Sequence, residues 1–392
     1  MTSSAVGPRT AGSPPRIVMA GSIGRSVTGG QAWANLQYLL GLQALGVDVT
    51  YLEDAGDWSV VYNWERGENT WELDYPGGFV KDSLESNGFR GAWAYRTSDA
   101  IVGLTMDELQ ARLASADVLL IRGIPFLKWR EEYDRPRVRA FLDVDPGFTQ
   151  IRYEQCEPAY VDTIDRCEML FTVGQNVGTE AASVPTGGRT WVPTLPPVYL
   201  PAWPCEPSND DYPVSTIMRW RGMKDLELRG QPMGQKDRAF PPYADLPRRS
   251  GRAFSVALTG GGDRHFLEGG WAVQPGIDAS GTPSAYQRFI VGSGAEFGIA
   301  KHCYVATNTG WFSDRSVCYL ASGRPVIVQD TGLERWLPRD QGVRWFASPD
   351  EALNQVVEVF DDLEGQSRRA RHLAETLFSS DRVLGELLRH VA

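Results

Sequence analysis

Residues Gly310 to Gly332, GWFSDRSVCYLASGRPVIVQDTG, decide how the chain is read. They run as a polar Gly/Ser loop that opens a short helix and passes straight into a strand. Ser313 to Ser316 fall on the first helical turn, where backbone N–H groups lack intrahelical partners and the helix dipole favours negative charge. The stretch therefore predicts an anion site, with Arg315 as counter-charge and Asp314 as a helix-start residue. Gly323 and Pro325 end the helix, and Val326-Ile327-Val328 is the β-branched apolar run of a strand buried on both faces.

The same alternation extends to either side. Upstream, Phe254 to Leu258 reads as a strand, Gly260 to Gly262 as a turn, Arg264 to Glu268 as a short helix, Trp271 to Val273 as a strand, Ala285 to Ile290 as a helix and Cys303 to Ala306 as a short strand. Downstream, Pro349 to Val359 and Gln366 to Leu388 are long helical patterns. Nearer the start, Arg16 to Ala20 (RIVMA) is a strand, GSIGRSVTGG a loop, Gln31 to Leu45 a helix stopped by Gly46, and Val47 to Leu52 a second strand. This βαβ unit belongs to a parallel sheet. Met106 to Ala114 then reads as a helix, and Asp117 to Arg122, Arg139 to Val144 and Met169 to Val173 as strands. Asp57 to Arg96, rich in Trp, Tyr, Asn and Gly without a period, reads as a long binding loop. Prolines crowd the stretch from Val192 to Pro247, which reads as an interdomain crossing.

The expected division is a disordered segment 1–15, a Rossmann-like domain 16–195, a crossing 196–250, a second Rossmann-like domain 251–370, and a terminal helix 371–392 returning to the first domain. A chain of 392 residues with 42% hydrophobic and 22% charged residues suits two soluble domains. The formal net charge of -10 argues against a surface that grips nucleic acid through its phosphates, so no nucleic-acid partner is expected. Five cysteines without close pairing suit reduced thiols, and no apolar run suggests a signal peptide or membrane span; the expected setting is cytoplasmic, as monomer or homodimer, away from membranes.

Two stretches, GGQAWANLQYLLGLQALGVDVTYLED from Gly29 and EFGIAKHCYVATNTGWFSDRSVCYLASGRPVIVQDTG ending at Gly332, resemble GT-B fold glycosyltransferases that use a sugar nucleotide, of the bacterial natural-product type. The resemblance spans most of the chain and implies an α/β fold of two Rossmann-like domains, with parallel sheets facing an interdomain cleft. In such enzymes the second domain holds the nucleotide diphosphate and the first the acceptor, while a Gly-Gly loop approaches the diphosphate; here that loop is Gly29-Gly30. Retaining members often carry two glutamates eight apart around the phosphate-binding helix. Trp311 and Tyr319 fall at those positions, so retention or inversion stays open.

The expected activity is hexosyl transfer from a nucleoside-diphosphate sugar, UDP-sugar favoured, to a hydroxyl of a small acceptor such as a nucleoside antibiotic. Donor binding is expected from Gly29, Gly30, Lys301, Ser313, Asp314, Arg315 and Ser316, with leaving-group charge met by Lys301, Arg315 and the amides near Ser313 and Ser316. Asp145, at the end of FLDVD with Asp143 before it, stands where an open sheet delivers a base, although Asp-Pro-Gly also suits a turn. Trp64, Trp71 and Trp93, with Trp58, suggest an aromatic acceptor platform. No His/Asp/Glu cluster has metal-ligand spacing, so neither metal nor cofactor is expected beyond the co-substrate. Two other readings compete. An NAD-dependent enzyme has suitable acids in Glu53 and Asp54, but Gly21, Gly24, Gly29 and Gly30 miss the G-x-G-x-x-G spacing. The missing glutamates would suit a non-catalytic binding protein.

Overall fold

The computed structural model describes residues 14–57, 60–126, 128–207, 209–222 and 224–391. The expected disorder at the N-terminus falls mainly on residues 1–13, and Trp58 with them lies outside the described residues.

The first domain is built on an eight-stranded sheet. Its elements run β1 (Arg16–Ala20), α1 (Gly29–Ala44), β2 (Asp48–Asp54), β3 (Val61–Asn63), β4 (Glu68–Thr70), α2 (Asp74–Ser86), β5 (Ala92–Arg96), β6 (Ile101–Gly103), α3 (Met106–Ser115), β7 (Val118–Arg122), β8 (Val138–Asp143), α4 (Phe148–Glu154), α5 (Pro158–Ile164), β9 (Met169–Thr172) and β10 (Val192–Pro193). The order is β10-β9-β8-β7-β1-β2-β5-β6, parallel except for β6. Central β1 is buried from Ile17 onward, as a strand covered on both faces requires. Thr28 caps α1 by accepting from the Gln31 amide, and Gly46, at φ +77, supplies the left-handed turn that ends it.

The second domain holds β11 (Val214–Arg219), β12 (Leu226–Leu228), β13 (Gln231–Met233), α6 (Lys236–Ala239), α7 (Leu246–Ser250), β14 (Phe254–Thr259), α8 (Asp263–Gly269), β15 (Ala272–Pro275), α9 (Gly276–Ser280), α10 (Pro283–Val291), β16 (Ala295–Gly298), α11 (His302–Ala306), α12 (Asp314–Ala321), β17 (Val326–Gln329), β18 (Val343–Phe346) and α13 (Pro349–Asp361). Its parallel sheet runs β15-β14-β11-β16-β17-β18. Helices α14 (Leu363–Leu373) and α15 (Ser380–Val391) close the chain, and α15 returns to pack on α1, where Gly41 faces Leu384 and Ser380.

Three elements differ from the sequence reading. The stretch 57–96 is not one loop: the β3–β4 hairpin and α2 occupy it, and β5 joins the main sheet beside β2. Pro76 and two glycines disguise α2, but a proline in the first turn removes no helical hydrogen bond. The second sheet begins at Val214 rather than 251, because β11 pairs with both β14 and β16 inside the proline-rich stretch. Cys303 to Ala306 form the helix α11, whose Cys303 and Tyr304 pack on Leu228 and Met233 of the β12–β13 hairpin; tertiary contact overrides the β propensity of Cys-Tyr-Val. Among the described residues no helix is long and apolar enough to cross a membrane.

The sheets meet through their C-terminal edges. Arg122, closing β7, reaches Asp314 at the start of α12, and Asp145, just past β8, reaches Lys301, just past β16. This is the crevice where an open parallel sheet offers loops and helix starts to a ligand.

Candidate functional site

At the start of α12, Ser313 caps the helix through its hydroxyl, which accepts from the Arg315 amide at 3.2 Å. Ser316 is wholly buried and its Oγ has no hydrogen-bond partner, while it lines a cavity with Gly298, Trp311, Ser313, Arg315 and Gln329. A buried hydroxyl with hydrogen-bonding capacity to spare, beside the free amides of a helix start, is chemistry that suits an anion. Arg315 is not a free counter-charge. Its Nε donates to Glu296 Oε1 at 2.6 Å and its Nη1 to the Ile217 carbonyl at 2.8 Å, with only 11% of the side chain exposed. The guanidinium thus borders the cavity while committed to a carboxylate inside the second domain. Asp314 leans the other way, toward Arg122.

Lys301 precedes α11, and its Nζ lies 2.5 Å from Asp145 Oδ1, so the two charges named from sequence form one pair across the cleft. Tyr304 donates its hydroxyl to the same oxygen, and Lys301 stands 5.0 Å from the centre of the Phe148 ring. Asp143 is fully buried and fixes the loop that presents Asp145: it accepts from Thr149, Gln150, Thr172 and the Asp145 amide. Burial pushes its carboxyl up, against those four donors. Asp143 is therefore a positioning residue.

Lys236, the first residue of α6, was missed because its proline-rich surroundings showed no element. Burial pushes its ammonium well below the ordinary lysine value, and the nearby Arg315 and Lys301 charges push it further, opposed by Glu296 and Asp314. Lys236, Lys301 and Arg315 are thus electrostatic neighbours. Glu296, equally silent in sequence, is wholly buried and balances one of them.

The remaining expected residues are dispersed. Gly30 donates its amide to Ser280 Oγ at 3.0 Å, and a Cβ on Gly29 would stand 2.1 Å from the Thr282 carbonyl oxygen, so the glycine pair fits α1 against the α9–α10 corner of the other domain. In Gly29→Ala we expect this junction to open and stability to fall by about 1–3 kcal/mol, whereas Gly78→Ala in α2, with open space around its Cβ, should lose nothing; paired thermal melts check both. Equal melting points would remove Gly29 from the junction. The tryptophans do not form one platform. Trp93 lies on β5 against Gly103, Trp71 is 69% exposed beyond β4, and Trp64 is half-buried beside Tyr62 in the hairpin. The aromatics at the cleft are instead Phe148, Tyr304 and Trp311, the last two with ring centres 4.5 Å apart. Tyr319 is buried, its hydroxyl 2.8 Å from Ser215 Oγ, and cannot reach a ligand in the cleft.

Both acids that an NAD enzyme would use are committed. Glu53 accepts from the Gly24 and Arg25 amides at 2.8 and 2.7 Å and from Tyr51, and burial pushes its carboxyl up to about 7. Asp54 takes Arg130 at 2.6 Å and the Tyr133 hydroxyl. Among the described residues no group of His, Cys, Asp and Glu is placed to hold a metal ion.

No protein-family model matches the sequence, and no curated protein matches it significantly. Solved structures do resemble it. An alpha-glucosyltransferase in complex with UDP and a 13-mer DNA containing a central A:G mismatch superposes with a TM-score of 0.58 at 12% identity, covering 96% of this chain and 99% of that one. The alpha-glucosyltransferase in complex with UDP alone gives 0.55 at 12% identity with coverage of 96% and 99%. AviGT4, a glycosyltransferase involved in avilamycin A biosynthesis, gives 0.52 at 14% identity with coverage of 96% and 97%. The fold is GT-B, as the sequence resemblance implied. The same comparison corrects one expectation: a protein of this architecture is seen holding DNA, so the exclusion of a nucleic-acid partner falls. Net charge describes the far field of a whole chain, whereas a cleft binds through its local groups.

Proposed function

We propose that the protein is a glycosyltransferase that takes a sugar from a nucleoside-diphosphate donor, UDP-sugar in the first instance, without a metal ion. The observation that carries this reading is the buried, unpartnered Ser316 hydroxyl at the start of α12, in a cavity that Ser313 and Arg315 also line. Cations and helix-start amides held in a cleft meet the charge that grows on a departing diphosphate, and being fixed beforehand they need no reorganisation. The UDP seen in the alpha-glucosyltransferase structures supports the choice of base. We place the protein in the cytoplasm, a setting that its free cysteines suit. The NAD reading loses its support because Glu53 and Asp54 are engaged elsewhere. Thermal shifts with UDP, GDP, dTDP and NAD test this: stabilisation by NAD alone would overturn the proposal. Transfer or hydrolysis of a UDP-sugar then separates an enzyme from a binding protein.

For the acceptor we propose the hydroxyl of a small molecule of the natural-product kind, a nucleoside antibiotic being one candidate; AviGT4 supports it. The DNA complexes favour a second reading, a hydroxylated base within nucleic acid. Presenting radiolabelled donor with nucleosides and with duplex DNA decides between them by where the label goes. Asp145 is the proposed base, acting through Oδ2 while Oδ1 holds Lys301 and Tyr304. Asp145→Asn should lower kcat by about a hundredfold with little change in UDP affinity. A variant that turns over normally but binds UDP poorly would show that Asp145 only positions Lys301.

A further inference from the structure

Arg122 carries a charge that its surroundings satisfy poorly. It closes β7 at the cleft edge of the first sheet, its side chain is 6% exposed, and its counter-ion is Asp314 of the opposite domain, itself 47% exposed, at 3.4 Å. Charge-assisted N–H to carboxylate bonds ordinarily run to about 2.7–2.9 Å, so this one is long. The Arg122 Nε has no partner at all, and the guanidinium stands 5.7 Å from the centre of the buried Tyr38 ring on α1. Asp314 is oddly placed as well. Its carboxylate belongs to the first residue of α12, in the neighbourhood of Lys236 and Arg315, which is the ground a phosphate oxygen would occupy.

We propose that Arg122 is a diphosphate-binding catalytic residue supplied by the first domain, and that Asp314 holds its place until the donor arrives. The diphosphate displaces the carboxylate, which is exposed enough to swing into solvent, and takes over the guanidinium with its spare Nε–H. The inference rests on the proposed sugar transfer. In that reaction the bond from sugar C1 to the bridging oxygen of the β-phosphate breaks and its electron pair stays on the oxygen, which Arg122 meets with an N–H. The acceptor oxygen forms the new bond to C1, and its proton goes to the base. Because Arg122 stands on one domain and α12 on the other, the same contact binds the domains together around the donor.

Calorimetry with UDP and turnover of a UDP-sugar, on the full chain, test this. Arg122→Gln should bind UDP at least about tenfold more weakly and turn over about a hundredfold more slowly, with Arg122→Lys recovering part of both. Asp314→Asn should bind UDP more tightly than the wild type, since a competing carboxylate is gone. A purely structural salt bridge predicts the opposite, loss of stability with no gain in affinity. If the wild type binds UDP and Arg122→Gln matches it in affinity and rate, the proposal fails while sugar transfer stands. If the wild type binds neither UDP, GDP nor dTDP, both fall. Should Arg122→Gln not fold, Asp314→Asn decides alone: unchanged or weaker affinity overturns the place-holding role.

Discussion

In Lys236→Met, the affinity for UDP should fall by about tenfold to a hundredfold while the empty protein melts at a higher temperature. The two effects have one cause. Lys236 is held among Arg315 and Lys301, and among the described residues no acidic side chain is ion-paired to it. Without ligand its charge is a cost of folding; on the proposed function a bound diphosphate would offset that cost. The pH dependence follows from the direction of the shift. The folded value lies below the unfolded value of about 10.4, so between the two the unfolded chain holds a proton that the folded chain does not, and stability rises with pH. Once pH falls through the folded value, the cost of the charge is fully felt. The melting-point gain in Lys236→Met should therefore be largest at low pH and vanish above about pH 10, where both states are neutral. A variant with wild-type UDP affinity and an unchanged melting curve would remove Lys236 from the site.

Glu296→Ala should cost about 3–5 kcal/mol of stability, measured by chemical denaturation, because it strands the Arg315 guanidinium in a buried place. Glu296 is itself wholly enclosed on β16 and touches Arg315 at 2.6 Å, so water cannot replace the lost carboxylate. Lys236 and Lys301 make the position more positive still, and repulsion adds to the loss. Glu296→Gln, which keeps an oxygen for the guanidinium, should lose less. UDP should raise the melting temperature of Glu296→Ala by more than that of the wild type, since the diphosphate supplies part of the missing charge. An equal ligand shift in both would separate Arg315 from the donor site, leaving it a structural ion pair.

Strands such as RIVMA, DVLLIR and VIVQ were legible because a strand covered on both faces needs an unbroken apolar run. The start of α12 was legible for a local reason too, since Ser-Asp after a loop is a helix-start signature. What stayed hidden was non-local. VSTIMR of β11 is only partly apolar and sits among prolines, and its place in the sheet comes from β14 and β16, distant in sequence. Glu296, Lys236 and Arg122 look like ordinary charges until folding brings them beside α12. Asp145 and Lys301 were each identified, but their mutual pairing spans 156 positions of chain and leaves no local trace. The tryptophans misled in the reverse sense: clustered in sequence, they are scattered by a hairpin and a sheet strand that take them in different directions.

Because α15 lies on α1, the polypeptide passes between the lobes twice, once leaving and once coming back. Two tethers at separate points restrict how one lobe can turn against the other more than a single linker would. It also means that the first lobe cannot be excised as a contiguous fragment, because the chain's last helix covers the flank of its first one.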